Sequence, residues 1–504
     1  VRGQTVRVLD ASVDQFLGIP YAEPPIGALR FAKPVPIQRP RDGVIDGTKP
    51  GKSCPQRGPL FTPNTYIQSE DCLVLNIWTP KTGNNNTNKS QLKPIMFYIY
   101  GGGLSTGSID KFNGGPLASH GVVFVAANYR LGHLGFLYGD REDAPGNVGL
   151  YDQLLALKWV RENAEQFGGD RDQITIFGGS AGSWSVSAHI LSPLSKGLFK
   201  RAIMQSGAHM YSKDRDVITK AEAIALGKRV AKDLNWDGKE DWVEFLRKAN
   251  PNDLVQSVGP ATFPVVGTEF LPTSAQNAFR QNKLHSDIDL MAGIATNEGS
   301  ILSRGLLPTD GPMTVADFMA SVKLADAMLH GLDCQRVADH YLSGVDTGSP
   351  TALRRAFNDF FGDLFMKYPT FVFARQMAAT NGANCRGVYF YELTYQAPSV
   401  AQLYKCDDPD SGIGHAMEVP FVFGFPFAPN QPLPFTDTDR QFSKHVMRMW
   451  TNFAKYGKPD SGDWPQLVSG NVAKVLNLSP NPTVKVFDDP YAKHYDTFWK
   501  DYYL

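Results

Sequence analysis

The sequence predicts an α/β fold, in which a mostly parallel central sheet is covered by helices on both faces. Two apolar, β-rich runs, Pro94–Tyr100 and Val122–Ala127, are typical of strands buried on both faces. Leu150–Phe167 has apolar residues at helical spacing and ends before Gly168-Gly169. A strand, a sharp turn and a helix then follow one another within Gln173–Leu191. This alternation indicates a parallel sheet between two layers of helices.

The rest of the chain adds shorter elements to this framework. Strands are predicted at Val6–Leu9, Asp14–Gly18, Leu73–Trp78, Arg201–Gln205, Ile288–Ile294 and Gly387–Leu393. Helices are predicted at Thr219–Leu234, over much of 312–384 and at Thr438–Tyr456, where Thr438 and Gln441 match a capping box. We find no internal repeat, low-complexity tract or linker, so a single domain over residues 1–504 is expected.

Composition excludes several classes of function. The chain has 504 residues, with 50 Lys+Arg balanced by 50 Asp+Glu. A formal net charge of zero does not favour nucleic acid or an anionic membrane as a partner. No apolar run reaches the roughly 20 residues that a membrane-spanning helix needs. Val1 is interpreted as a mature or trimmed start.

The strand–turn–helix segment carries the motif Gly178-Gly179-Ser180-Ala181-Gly182, which is G-x-S-x-G. In this context the motif predicts a nucleophile elbow, a strained turn that lifts the serine hydroxyl out of the sheet. Gly103-Leu104-Ser105-Thr106-Gly107 has the same pattern. Glycine, proline and short polar residues follow it, so it is interpreted as a loop. Ser180 is therefore the candidate nucleophile, and Ser105 is not.

A serine nucleophile needs a base and an acid, which in this type of fold follow it in the order Asp/Glu and then His. Glu298 comes directly after the predicted strand Ile288–Ile294, and His415 ends the Gly- and Asp-rich segment 406–415. An exposed loop glutamate and a structural histidine are the alternatives. Amide N–H groups for a developing oxyanion would come from Ala181 and from Gly101-Gly102-Gly103, which follows another strand.

Cysteines and sequons bear on the cellular compartment. Cys54 and Cys72 flank a short segment, which suits a disulfide-closed loop, and two reduced core cysteines are the alternative. Sequons that permit glycosylation occur at Asn85, Asn88 and Asn477. Together these features favour a protein that is secreted or that resides in the secretory pathway.

The chain resembles the type-B carboxylesterases, the family that includes cholinesterases and bile-salt-activated lipases, over nearly its whole length. The resemblance is carried by FLGIPYAEPPIGALRF (16–31), EDCLVLNIW (70–78), YGGG (100–103), NYRLG (128–132), GNVGLYDQLLALKWV (146–160), FGGD (167–170), the elbow and EVPFVFGFP (418–426). It implies an α/β-hydrolase fold, a serine esterase without cofactor or metal, and a small-molecule ester substrate. It also implies a role for each of several residues: Ser180 as nucleophile, Glu298 as triad acid, His415 as base, Gly102, Gly103 and Ala181 as oxyanion hole, Ser206 behind the triad, and Cys54–Cys72 as a disulfide.

The chain also departs from the family pattern. Gly179 stands where a Glu usually precedes the nucleophile, and the 54–72 segment lacks the Trp that stacks on choline in cholinesterases. The predicted pocket is instead aliphatic and mixed, lined by Leu104, Met210, Ile301 and Leu302. We therefore predict hydrolysis of neutral carboxylic esters through an acyl-enzyme. The alternatives are a cholinesterase, a lipase or cholesterol-ester hydrolase, and a non-catalytic adhesion protein like the neuroligins. The natural substrate, the oligomeric state and the pairing of Cys334, Cys385 and Cys406 stay open.

Overall fold

The computed structural model describes most of the chain in two compact units. The described residues are 1–37, 43–58, 67–80, 92–259, 261–308, 311–381, 386–406, 411–429, 431–459, 464–469 and 472–504. The first unit comprises Val1–Ala202, Ile218–Ser274 and Ala454–Tyr456. The second comprises Ile203–Val217, Ala275–Phe453 and Gly457–Leu504. The single domain expected over 1–504 stays a prediction.

The described strands of the first unit belong to a large mixed sheet, except for one separate pair. They are β1 Gln4–Val8, β2 Ala11–Pro20, β3 Val74–Pro80, β4 Lys93–Ile99, β5 Val123–Ala127, β6 Tyr138–Arg141, β7 Ala144–Pro145 and β8 Gly169–Gly179. Their order is β1-β2-β3-β5-β4-β8, while β6 and β7 pair separately. Strand β4 runs parallel to both β5 and β8, and β1, β2, β3 and β5 pair antiparallel. Residues 95–99 of β4 and all of β5 are buried, as expected for central strands.

In the described part of this unit, seven α-helices accompany these strands. They are α1 Gly115–Ala118, α2 Gly132–Phe136, α3 Val148–Asn163, α4 Ala181–Leu191, α5 Lys220–Asp233, α6 Trp242–Lys248 and α7 Pro251–Gln256. Helix α5 begins with a capping box in which Thr219 and Glu222 exchange side-chain and backbone hydrogen bonds. Trp184, Tyr100, Tyr129 and Phe124 are almost fully buried and form part of the core of this unit.

The second unit also contains parallel strands. Strand β9, Arg201–Gln205, carries the chain from the first unit into the second. The remaining strands are β10 Asp289–Ala295, β11 Val388–Leu393, β12 Val468–Ser469, β13 Val472–Leu478 and β14 Val486–Asp488. Strand β11 runs parallel to β10 and to β13, and β12 and β14 pair antiparallel with β13.

Helices dominate the rest of the second unit. They are α8 Ala275–Arg280, α9 Gly299–Leu302, α10 Val315–Leu329, α11 Cys334–Tyr341, α12 Pro350–Gly362, α13 Tyr368–Asn381, α14 Pro398–Leu403, α15 Val419–Val422, α16 Asp437–Tyr456, α17 Ala492–His494 and α18 Lys500–Tyr503. Single π-helical turns occur at Asp363–Lys367 and Tyr495–Trp499. No helix in the described part of the chain is long and apolar enough to span a bilayer.

The start of α16 differs from the prediction. The capping box is Thr436 with Asp439, so Thr438 lies inside the first turn and is not the N-cap. Both T-x-x-D at 436–439 and T-x-x-Q at 438–441 fit the sequence pattern. A tertiary contact favours the first, because the Tyr395 hydroxyl donates to Asp439 Oδ1 at 2.7 Å and Asp439 is fully buried.

The covalent framework agrees in part with the sequence expectations. Cys54 and Cys72 form a disulfide, Cys334 is a free thiol, and Cys406 Sγ accepts a hydrogen bond from the Arg304 side chain at 2.9 Å. Cys385, Asn85 and Asn88 lie outside the described residues. Asn477 lies within β13, and its side-chain nitrogen donates to the Val484 carbonyl at 2.8 Å. This contact holds the segment just before β14 against β13.

Candidate active site

Ser180 occupies a strained turn between β8 and α4. Its φ and ψ are 59° and −127°, outside the regions that a residue with a Cβ normally adopts. A Cβ on Gly178 or Gly182 would come within 2.5 or 2.0 Å of the Ile99 carbonyl oxygen, so the motif needs glycine on both sides. The Ser180 carbonyl accepts the first helical bond, from the Trp184 N–H, but its side chain does not cap the helix. The hydroxyl is thus presented at the N-terminus of α4, as the motif predicts.

The glycine loop after β4 packs against this turn. A Cβ on Gly101 would lie 2.4 Å from the Gly179 carbonyl oxygen and 2.8 Å from the Ser180 Cβ. Tyr100, which precedes the loop, stacks on Tyr129 with ring centroids 4.4 Å apart, and the Tyr129 hydroxyl donates to the Tyr100 carbonyl at 2.7 Å. This buried tyrosine pair stabilises the strand end from which the loop departs.

Three amide groups at this junction are available to a ligand. The N–H groups of Gly102, Gly103 and Ala181 donate to no residue that the structure describes. Ala181 is the first residue of α4, where N–H groups lack partners within the helix and the helix dipole favours negative charge. Backbone N–H groups of this kind can stabilise an oxyanion.

The second unit holds a buried acid–base pair. His415 Nδ1 lies 2.6 Å from Glu298 Oε2, and the two side chains are 7% and 0% exposed. A carboxylate oxygen only accepts hydrogen bonds, so Nδ1 carries a proton, and in the neutral imidazole Nε2 then has a free lone pair. His415 Nε2 is buried and has no hydrogen-bond partner among the described residues. This imidazole is oriented to take up a proton at Nε2.

The Glu298 carboxylate is itself fixed by two further donors. Oε1 accepts from the Ser206 hydroxyl at 2.5 Å and from the Ala295 N–H at 2.7 Å. Ser206 directly follows β9, has φ 57°, and donates its own N–H to the Gly293 carbonyl at 2.8 Å. Each carboxylate oxygen therefore has a partner, and the carboxylate can turn away from His415 only by losing hydrogen bonds.

The segment that carries His415 is attached to the turn that carries Glu298. Asn297 donates its N–H to the Ile413 carbonyl at 2.9 Å, and its Oδ1 accepts the Ile413 N–H at 3.0 Å. A Cβ on Gly414 would lie 2.8 Å from Ile301 Cδ1, so the chain passes closely over α9 just before His415. Asn297 was not among the predicted site residues, although an Asn beside a candidate acid in a strand-end turn is a usable signal.

A second buried carboxylate, that of Glu418, was also absent from the predicted site residues. Glu418 accepts from the Gln205 side chain at 2.9 Å through Oε1, while its Oε2 has no partner among the described residues. Burial raises the pKa of the Glu418 carboxyl above its ordinary value, and the negative charge of Glu298 acts in the same direction. The EVPF motif contained this residue, but only the fold shows that it is buried.

The four predicted pocket residues fall in two places. Leu104 belongs to the first unit, is fully buried and has φ 55°. Met210 and Ile301, in the second unit, are buried, and Leu302 at the end of α9 is half-buried. Ser180, Ala181 and the glycine loop thus lie together in one unit, and Glu298, His415 and Ser206 lie together in the other.

The mostly parallel sheet, the surrounding helices and the elbow define the α/β-hydrolase fold. Residues 1–499 match the carboxylesterase family, and the chain therefore belongs to that family. It is 33% identical to the acetylcholinesterase of Bungarus fasciatus over 96% of this chain and 82% of that protein. It is 34% identical to carboxylesterase 3 of Pongo abelii and of Homo sapiens, in each case over 96% of this chain and 86% of the relative. Family membership supports ester hydrolysis in general.

Proposed function

We propose that the protein is a serine carboxylesterase that hydrolyses neutral carboxylic esters through an acyl-enzyme. The observation that carries the proposal is the buried His415–Glu298 pair, in which Nδ1 is held by a carboxylate and Nε2 is left without a partner among the described residues. A base prepared in this way serves a nucleophile, and Ser180 on its strained elbow is the candidate.

The proposed reaction has two steps. His415 Nε2 takes the proton of the Ser180 hydroxyl as Oγ attacks the ester carbonyl, and the resulting imidazolium is stabilised by Glu298. The N–H groups of Gly102, Gly103 and Ala181 receive the oxyanion. Collapse of the tetrahedral intermediate expels the alcohol, which takes the proton from His415. Water then attacks the acyl-enzyme with the same base, which releases the carboxylic acid and restores Ser180. The mechanism requires His415 Nε2 within hydrogen-bond reach of Ser180 Oγ.

Covalent labelling with a fluorophosphonate probe tests the assignment. We expect the label on the Ser180 peptide by mass spectrometry and not on the Ser105 peptide. Ser180→Ala and His415→Ala should lower hydrolysis of a p-nitrophenyl ester by several orders of magnitude, because triad members act as a unit. Ser187→Ala, which removes a buried hydroxyl bonded to the Trp184 carbonyl further along α4, is the matched control and should stay active. Near-normal hydrolysis by Ser180→Ala would refute the site, and an unlabelled wild-type protein would favour an adhesion protein.

The likeness to acetylcholinesterase makes a choline esterase the second candidate. Gly179 before the nucleophile and Ile301 after Glu298 favour neutral esters, because both positions lack the anionic or aromatic groups that hold a quaternary ammonium. We also propose that the enzyme is secretory, and the Cys54–Cys72 disulfide supports an oxidising compartment.

A further inference from the structure

The glycine loop is held by a short hydrogen-bond chain that the proposed reaction does not include. The Gly102 carbonyl accepts from the N–H groups of Ser105 and Thr106, both at 3.0 Å, which closes the turn. The Gly103 carbonyl accepts from the Thr262 N–H at 2.7 Å and from the Ser105 hydroxyl at 3.2 Å. Two successive carbonyls of the loop are therefore bound to Ser105.

Ser105 and Thr262 are also joined through their side chains. Ser105 Oγ lies 3.0 Å from Thr262 Oγ1, and Ser105 is only 4% exposed. A hydroxyl has one proton, and that of Ser105 goes to the Gly103 carbonyl. Thr262 is then the donor to Ser105, so the chain runs from Thr262 Oγ1 to Ser105 Oγ to the Gly103 carbonyl.

We propose that Ser105 and Thr262 are positioning residues that set the direction of the oxyanion donors in the glycine loop. A trans peptide group is planar, and its C=O and N–H point in opposite directions. Holding the Gly102 carbonyl therefore aims the Gly103 N–H away from Ser105. Holding the Gly103 carbonyl fixes the next peptide plane, and with it the φ and ψ of Gly103. This inference rests on the proposed function, because it concerns the donors of that same site.

Gly103 is the residue of the loop whose backbone conformation most needs to be held by its neighbours. Its φ is 63°, and Leu104 follows with φ 55°. A glycine has no Cβ to restrict rotation, so its conformation depends on bonds to its neighbours. Without the Ser105 hydroxyl bond the Gly103 carbonyl keeps only the Thr262 N–H, so the peptide plane after Gly103 can turn more freely and the backbone angles of Gly103 are less well fixed. The N–H groups would then form weaker hydrogen bonds to the tetrahedral oxyanion, with little effect on the binding of substrate in its ground state.

Paired substitutions at the two positions test the proposal. Thr262→Val removes the hydroxyl and keeps the shape, whereas Thr262→Ser keeps the hydroxyl and is the matched control. Ser105→Ala removes the central link. We expect Ser105→Ala and Thr262→Val to lower kcat on a p-nitrophenyl ester by about 10-fold, less than the 10²–10³-fold loss on removing a whole oxyanion donor. KM should change less than 2-fold, and Thr262→Ser should keep a kcat close to that of the wild type.

Two further measurements separate positioning from general loosening. Affinity for a trifluoromethyl ketone, which adds to the serine and forms an oxyanion, should fall in parallel with kcat/KM, while affinity for the unfluorinated ketone should not change. The double variant should lose no more activity than either single variant, since both break one chain. If wild-type protein is active and labelled at Ser180 while Thr262→Val equals Thr262→Ser in kcat and ketone affinity, only this inference is overturned. If wild-type protein neither hydrolyses esters nor is labelled, both proposals are overturned.

Discussion

Asn297 and Ile413, 116 residues apart in the chain, exchange two hydrogen bonds, one between their backbones and one from the Ile413 N–H to Asn297 Oδ1. Asn297 precedes Glu298, and Ile413 lies two residues before His415. The pair therefore determines where the histidine segment meets the turn that carries the carboxylate. The 2.6 Å distance between His415 Nδ1 and Glu298 Oε2 depends on this attachment as well as on the two side chains themselves.

We predict that Asn297→Ala lowers kcat by roughly 10-fold and stability by about 1 kcal/mol, the usual net value of one intramolecular hydrogen bond. The side-chain acceptor is lost, so the 411–415 segment is less well held and His415 spends less time in its reactive orientation. The measurements are steady-state kinetics on a p-nitrophenyl ester and urea unfolding.

The matched control for Asn297 is Asn163→Ala. Asn163 ends α3 in the first unit, and its side chain donates to the Trp159 carbonyl at 2.9 Å. This variant should lose comparable stability without loss of kcat. Equal kcat values for the two variants would show that the Asn297 contact has no part in orienting His415.

A second prediction concerns the disulfide. Cys54→Ser/Cys72→Ser should reduce the free energy of unfolding by roughly 3 kcal/mol, the chain-entropy value for closing a loop of this size. Cys334→Ser, which removes a free thiol, is the control and should unfold like the wild type. Peptide mapping without reduction should recover Cys54 and Cys72 in one linked species. Recovery of either residue as a free thiol would contradict the structure.

A third prediction follows from the buried Glu418 carboxyl. Because burial raises its pKa in the folded protein, the folded chain binds this proton more tightly than the unfolded chain. Stability is therefore lost as the pH rises from the unfolded pKa, near 4.5, through the raised folded pKa. Glu418→Gln keeps an oxygen for Gln205 and cannot ionise, so it should raise Tm at pH 7.5.

The pH dependence provides the control for Glu418→Gln. The gain in Tm over the wild type should shrink as the pH falls towards 4, where the wild-type carboxyl is protonated in both states. Thermal unfolding at pH 4, 5.5 and 7.5 measures it. A variant that is less stable than the wild type at pH 7.5 would mean that the ionised form is the one the fold stabilises.

Much of the framework could be predicted from local pattern. Strand β9 was predicted with the observed bounds, and β4, β5 and β10 agree within one residue at each end. Short, mostly apolar runs of this kind are typical of buried strands. The N-terminus of α16 could not be predicted from local pattern alone. Two overlapping capping patterns were present, and the hydroxyl of Tyr395, more than 40 residues earlier, favours the one at Thr436.

In the candidate site, too, some residues could be predicted from contiguous sequence, whereas others depend on contacts between distant segments. Ser180 follows from a strand, a turn and a helix that are contiguous, whereas the pairing of Glu298 with His415 joins residues 117 positions apart. Sequence order indicated an acid followed by a base, but it did not show which residues their side chains contact. Glu418 and Asn297 act through contacts made by the folded chain. The position of Asn297 beside a candidate acid is a local signal, whereas nothing in the immediate sequence of Glu418 distinguishes it from other polar residues near a helix end.

The last prediction concerns the choice between neutral and choline esters. A quaternary ammonium is held by aromatic faces through cation–π contacts worth on the order of 0.5–2 kcal/mol each. Cholinesterases, by resemblance, use a Trp in the first disulfide loop, an aromatic shortly after the triad Glu and a Glu before the nucleophile. This chain has no Trp between Cys54 and Cys72, and it has Ile301 and Gly179 at the other two positions.

Loss of two or three such contacts should weaken choline binding by roughly 10²–10⁴-fold. We therefore expect a higher kcat/KM for 3,3-dimethylbutyl acetate than for acetylcholine, two substrates that share an acyl group and nearly share a shape. Gly179→Glu, which restores one anionic group, should shift the ratio towards acetylcholine, and Gly179→Gln is its uncharged control. Tyr66 and Phe61 belong to the 54–72 segment but lie outside the described residues, and either could supply an aromatic face. A marked preference of the wild-type enzyme for acetylcholine would show that such a face is present and would assign the protein to the choline esterases.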